Sequence, residues 1–300
     1  MKFLYYMILV VLTGLFACKS NQKFDAEKIS KLEADFNTSP TDTTYDKLIT
    51  AYLEIMQEHK EEPSLIEDLL SKCASASVKM NNCRQTVIFL NNLIKNHYAR
   101  KDTPDNIVKM IECLRNIGKN EAADILTLCF GQAFPGDNRK VELEAKLQKQ
   151  QTPEEYLVEL AKSIFPDTLN SYDKEKAFNY VDACEAYALV LPNSDKSPEF
   201  LFSAAQTSKL LTTYDKCLSL FDWIVEKYPT HAKAENACFM KGFLFDNDLK
   251  DTATARKFYL EFITKYPKSE FVDDAQMLIQ NLGKSEEQIL EELQKKNAPK

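Results

Sequence analysis

Tyr45, Leu48, Ile49, Tyr52, Leu53 and Met56 fall at i, i+3, i+4, i+7, i+8 and i+11, one apolar face of a helix. Pro63 opens the next, with Leu65, Ile66, Leu69, Leu70 and Cys73 as its face. A third runs from about Asn82 to His97, carrying Val87, Leu90 and Ile94. Thr103-Pro104 reads as an N-cap followed by a first-position proline. It starts a helix with Ile107, Met110, Ile111, Leu114 and Ile117, ended by Gly118. The following one reaches Phe134-Pro135. Upstream, Asp25–Phe36 has the makings of a helix that Pro40 closes. Asn138 to Gln151 is mostly charged, with Val141, Leu143 and Leu147 to bury. It reads as a solvated helix or a seam, and sets a soft boundary near 150. Thr152-Pro153-Glu154-Glu155 restarts the chain with a capping box. Helix pairs continue to Leu282. Ser285-Glu286-Glu287-Gln288 then caps a last helix with Ile289, Leu290 and Leu293 on one side. No run alternates as a strand, so the chain is expected to be nearly all α.

Within this pattern one phrase is written twice. Cys217-Leu-Ser-Leu-Phe221 leads to Tyr228-Pro229, and Ala255-Arg-Lys-Phe-Tyr259 leads to Tyr266-Pro267. A weaker copy ends Ala188-Leu-Val-Leu-Pro192. The three prolines are 37 and 38 residues apart, a period that means stacked helical repeats. Each strong copy has a small residue, an aromatic four later, and proline eight after that. Ala205 and Gly242 are small residues in the helix before. Small residues let paired helices approach, the aromatic fills the gap, and proline stops the second helix. Upstream, Ala123…Pro135 keeps the small residue and the proline, with Thr127 in the aromatic's place; Tyr180/Cys184/Pro192 keeps the proline alone.

These spacings resemble the tetratricopeptide repeat. The resemblance implies an all-α, tetratricopeptide-like helix-pair solenoid, an α-α superhelix. Tyr228-Pro229-Thr230-His231 with Met240-Lys241-Gly242 resembles outer-membrane lipoproteins built from such repeats. Those include the lipoprotein subunit of the β-barrel assembly machinery and the periplasmic coordinator of the Tol-Pal system.

The first residues carry an address. Met1-Lys2 precedes an apolar run of 14 residues, Phe3 to Phe16, short for a bilayer span of roughly 20. The run ends Leu15-Phe16-Ala17-Cys18, then Lys19-Ser20-Asn21. This resembles a bacterial lipobox, which implies cleavage before Cys18 and acyl chains, palmitate among them, on that cysteine. Several chains anchor stably where one is marginal. An ordinary signal peptide or a transmembrane anchor is the alternative. The absence of Asp at position 19 points, by analogy, to the outer membrane, and Lys19 and Lys23 to a periplasm-facing protein. The expected organisation is a signal peptide over 1–17, a tether over 18–40, degenerate N-terminal helical repeats over 41–150, and clearer repeats with a capping helix over 151–300.

Composition narrows the chemistry. Glycine is 6 of 300 residues, too few for phosphate-cradling loops. Net charge is −7 with no basic block, which argues against a nucleic-acid partner. Eight cysteines are present. Beyond Cys18, the other seven (Cys73, Cys83, Cys113, Cys129, Cys184, Cys217, Cys238) sit on or next to apolar faces and read first as small buried hydrophobes. Disulfide pairing, with Cys73–Cys83 nearest in sequence, and zinc are the alternatives. His59, His97 and His231 stand at helix ends, without metal-ligand spacing. No GxSxG or nucleophile–base pair is present, so no enzyme, cofactor or metal is expected.

One stripe stands out. Phe202, Phe239 and Met277 occupy equivalent positions on successive first helices, which line the concave surface in the family this chain resembles. Phe243 and Asp246 lie further along the helix of Phe239, and Gln206 and Lys209 along that of Phe202. They form a candidate groove for a peptide or helix, with helix-to-helix packing as the plainer reading. The leading expectation is a lipid-anchored envelope scaffold. It would bind other envelope proteins or peptides and touch the membrane through its N-terminal lipid, with a role in outer-membrane or envelope assembly. A nutrient-binding lipoprotein, for a glycan or peptide, is the alternative.

Overall fold

The computed structural model describes residues 25–165, 171–285, 287–288 and 290–291. The signal peptide, Cys18 and Lys19 lie outside the described residues, as do Ile289 and Leu293 of the last helix. The described residues are helical without strands. The chain divides into one compact unit ending at Ile66 and another beginning at Glu67.

The first unit holds α1 (Ala26–Thr38) and α2 (Asp42–Glu58), which pack on each other. Asp25 caps α1 by accepting from Lys28 N–H at 3.0 Å. Thr41 and Thr44 exchange cap hydrogen bonds at the start of α2, satisfying backbone donors that lack helical partners. Phe36 lies 6.1 Å from Tyr45, ring to ring, and the Tyr52 hydroxyl donates to Glu33 at 2.6 Å. The face read from Tyr45 to Met56 is buried, apart from half-buried Leu53.

α3 spans Pro63–Lys79, and the second unit continues with α4 (Cys83–Asn96), α5 (Thr103–Asn116), α6 (Asn120–Ala133), the short α7 (Arg139–Glu144) and α8 (Pro153–Ser163). Then follow α9 (Lys174–Val190), α10 (Lys196–Leu210), α11 (Tyr214–Lys227), α12 (Ala232–Asn247), α13 (Thr252–Lys265) and α14 (Val272–Asn281). From α4 to α6 and from α9 to α14 each helix packs on the next. This unit is a tetratricopeptide-like helix-pair solenoid.

The punctuation works as the sequence predicts. Four helices end alike: the cap residues Phe134, Leu191, Tyr228 and Tyr266 donate their N–H to Phe130, Tyr187, Ile224 and Phe262. Pro135, Pro192, Pro229 and Pro267 follow, and none has an N–H to extend the helix. Gly118 adopts φ 78° after α5, a left-handed conformation that glycine takes without strain. The Thr152/Glu155 capping box forms as read, and so does the Ser285/Gln288 exchange of hydrogen bonds. One cap differs. Thr103 is the first helical residue and Asp102 the cap; the Thr103 hydroxyl instead donates to the Tyr98 carbonyl at 2.9 Å.

The repeat positions are the core. Ala123, Cys184, Ala205, Cys217, Ala255 and Tyr259 are fully buried, and Phe221 and Thr127 nearly so. Each large apolar side chain withdrawn this way contributes about 1.5–3 kcal/mol. Gly242 shows why the position is small. A Cβ there would lie 2.6 and 2.7 Å from Tyr259 ring carbons, so the Tyr259 ring leaves α12 no room for a side chain at this position.

From α4 onward the regular succession is interrupted between α6 and α9. α9 packs directly on α6, while α7 and α8 lie to the side. The composition explains this: α7 buries Leu143 and leaves Val141 exposed, and α8 buries little beyond Pro153 and Leu157. Neither can supply a full packing face. α9 packs on α4, α6, α8 and α10, pairs its Glu185 with Lys216 of α11 at 2.9 Å, and buries residues on every side, from Ala177 to Val190. A helix covered all round carries no stripe, which is why this copy of the repeat is weak in sequence. Position 150, where the sequence placed a soft boundary, falls between α7 and α8, within the stretch that leaves the regular succession.

Candidate functional site

The seven groove candidates divide into three groups. Phe202 on α10 is 8% exposed, with its ring 5.7 Å from Phe221 and the Lys233 ammonium 4.7 Å over it. Phe239 on α12 is half-buried among three rings, Tyr259 at 5.8 Å and Phe262 and Phe271 each at 5.4 Å. Both rings take part in helix-to-helix packing, Phe202 buried and Phe239 half-buried. Lys209, Phe243 and Asp246 form a second group where α10 meets α12. Lys209 reaches Asp248 at 3.1 Å and lies 5.2 Å over the Phe243 ring. Asp246 accepts from the Tyr259 hydroxyl at 3.4 Å. Burial, and after it that carboxylate, raises the Tyr259 phenol above its ordinary value. Gln206 and Met277 are the exposed pair, Met277 at 58%. Equivalent repeat positions are thus occupied by residues in unequal environments.

A second constellation, which the sequence reading missed, lies where α4, α9 and α11 meet. A cavity of about 160 Å³ opens there, lined by Ile94, Lys95, Tyr98, Leu189, Trp223 and Tyr228 among others. Lys95 extends from α4 over the Trp223 ring of α11, 4.1 Å from its centroid. Burial pushes the Lys95 ammonium below its ordinary range, while Glu185 and Glu226 pull it back. Tyr98, just past the end of α4, donates to the Val190 carbonyl at 2.7 Å. Burial raises its phenol above the usual value. The cavity is smaller than an ordinary small-molecule site of about 300–1,000 Å³. It has room for one side chain, with an aromatic floor and a cation at its edge. The sequence signal was weak: one tryptophan on an apolar face, and a lysine more than a hundred residues away.

The histidines are cap residues: His59 and His97 close α2 and α4, and His231 opens α12 by accepting from Lys233 N–H at 3.1 Å. Among the described residues no group of three or more His, Cys, Asp or Glu could hold a metal ion, and no helix is long and apolar enough to cross a membrane. Five of the seven described cysteines are buried free thiols. Cys83 and Cys113 are the half-exposed ones, so the small-hydrophobe reading fits five positions and not these two.

Comparison with known proteins agrees with the helix-pair architecture. A tetratricopeptide-repeat family model matches residues 237–269. This stretch holds Gly242, Ala255, Tyr259 and Pro267, the second strong copy of the repeated phrase. No curated protein matches the chain. Among solved structures, it is similar to the TPR2AB domain of yeast Sti1 in its complex with pHSP90. That match has 15% identity, covers 86% of this chain and 99% of that one, and has a TM-score of 0.28.

Proposed function

We propose that this protein is a lipid-anchored scaffold of the bacterial envelope that binds other proteins or peptides through the surface of its helical repeats. The observation that carries the binding half is the stack itself. Its repeat positions are spent on a closed core, and what remains is a continuous array of helix faces, the kind of surface stacked repeats use for recognition. The anchoring half rests on Leu15-Phe16-Ala17-Cys18 and an apolar run too short to span a bilayer. An outer-membrane, periplasm-facing position and a role in envelope assembly follow from that resemblance. Trp223 is 4% exposed, so no free indole platform favours a glycan ligand.

The burial pattern decides which residues test the proposal. Phe202→Asp or Phe239→Asp would put a charge into packed aromatic clusters and unfold the repeat. Gln206→Arg and Met277→Asp instead alter exposed positions. Tagged full-length protein crosslinked in native membranes should enrich a small set of envelope proteins. The double variant should lose them at unchanged thermal stability. Undiminished capture by that variant would remove the groove. Absence of any specific partner in native membranes would overturn the scaffold reading. A Cys18→Ser chain that remains membrane-bound after a high-salt wash would overturn the lipid anchor.

A further inference from the structure

Cys83 is the first residue of α4 and Cys113 lies in the last turn of α5. The two helices pack on each other, joined by the turn around Tyr98. Each cysteine is 15 residues from Tyr98, so folding the hairpin brings one beside the other. The Asn116 side-chain amide, one turn beyond Cys113 on α5, donates to the Cys83 sulfur at 3.7 Å, which sets the two cysteines on facing turns of the hairpin. Both are half-exposed, unlike the other five thiols. A cavity of about 370 Å³ opens directly on Cys83, lined by Asn81, Asn82, Arg84, Asn116 and Ile117. A pair of half-exposed thiols on facing helix turns, one of them at an open mouth, differs from a buried cysteine used as a small hydrophobe.

We propose that Cys83 and Cys113 are a redox-modification site. They close to a disulfide that staples the start of α4 to the end of α5. The oxidant is a small or protein-borne disulfide that enters at the cavity. The Cys83 thiolate attacks one sulfur of that disulfide, forming a mixed disulfide and expelling the other sulfur as a thiolate. Cys113 then loses its proton to solvent and attacks the Cys83 sulfur, expelling the second thiolate. Two protein thiols give up two protons and two electrons, and the oxidant is reduced to two thiols. Burial and the neighbouring Cys83 sulfur raise the Cys113 thiol above its ordinary value, so Cys83 is the sulfur that meets the oxidant first. Cys73, the nearest cysteine in sequence, is fully buried and takes no part. The proposal does not depend on the envelope reading, although an exported location would supply the oxidant.

The test uses purified full-length protein, equilibrated with oxidised glutathione, then denatured, alkylated and mapped by mass spectrometry without reduction. The expected result is a protein lighter by two hydrogens, a cross-linked peptide joining Cys83 to Cys113, and joint loss of alkylation at both. Cys113→Ser should instead trap a glutathione adduct on Cys83. Alkylation of both thiols after oxidation, or pairing of Cys83 with any other cysteine, would overturn the proposal. The wild-type map is decisive by itself, so a poorly folding variant does not blunt it.

Discussion

Gly242→Ala isolates the close approach on which the repeat is built. Glycine inside a helix costs about 1 kcal/mol relative to alanine, so the substitution should stabilise α12 if nothing stood in the way. The added Cβ, however, meets Tyr259 ring carbons at 2.6, 2.7 and 3.0 Å, against a comfortable carbon separation of about 3.5–4.0 Å. The ring must retreat by about 1 Å. It has no exposed side to retreat to, since Tyr259 is fully buried, packs against Phe239 and donates to Asp246. Overpacking of this kind costs about 1–3 kcal/mol. Gly131→Ala supplies the control. It too is a buried helical glycine, but its Cβ would meet the side-chain ends of Glu144 and Lys140 on α7, which can swing aside. The propensity gain is common to both variants, so their difference reads the clash alone. Gly242→Ala should be about 1–3 kcal/mol less stable than Gly131→Ala in urea unfolding followed by far-ultraviolet circular dichroism. Trimming the ring with Tyr259→Leu should relieve the penalty in the double variant, giving a coupling energy of the opposite sign. Equal stabilisation by the two alanines, or additive behaviour with Tyr259→Leu, would refute the packing argument.

Three further outcomes are expected. Trp223 is the protein's one tryptophan and reports on the α4–α11 junction. Lys95→Met should alter its emission while shifting stability by less than about 1 kcal/mol, because relief of a desolvated ammonium offsets the lost cation–π attraction; unchanged emission would show that the ammonium does not sit over the ring. Thr152→Ala removes the oxygen that accepts from Glu155 N–H. It should cost about 1 kcal/mol and raise amide exchange in the first turn of α8, with recovery in Thr152→Ser; full protection in the alanine variant would deny the cap a role. Arg139 donates to both oxygens of Asp137 and holds that carboxyl down at about 2. A lowered carboxylate stabilises the fold above its unfolded value near 3.8 and loses that contribution as pH falls towards 2. The melting-temperature gap between wild type and Arg139→Gln should therefore be present at pH 6 and close between pH 4 and pH 2; a gap independent of pH would disprove the linkage.

Much of this architecture is legible in the sequence, for identifiable reasons. The repeated phrase fixes α10 to α13 because small residue, aromatic and proline each have one steric task. Capping boxes at Thr152 and Ser285 are local chemistry and survive any tertiary context. The orientation of a side chain that alignment merely calls equivalent is not legible. Phe202, Phe239 and Met277 share a register, yet Phe202 is 8% exposed and Met277 58%. The partner of Cys83 was hidden for a different reason. Proximity along the chain favoured Cys73, whereas the α4–α5 hairpin pairs residues symmetric about Tyr98. The site over Trp223 joins α4 to α11 across two helix pairs, a distance no local pattern encodes.

The position of α9 has a consequence for how the second unit comes apart. A plain stack of repeats behaves as a one-dimensional array, in which each pair senses its immediate neighbours and the ends unzip first. Here the Tyr98–Val190 hydrogen bond spans 92 residues, and α9 touches α4 and α6 as well as α10. The middle of the array is therefore cross-linked to itself and should melt as one cooperative block. The α13–α14 end is held through α12 and should fray first. Hydrogen exchange along the chain would then show a sharp step after α12, where a uniform array would show a smooth gradient.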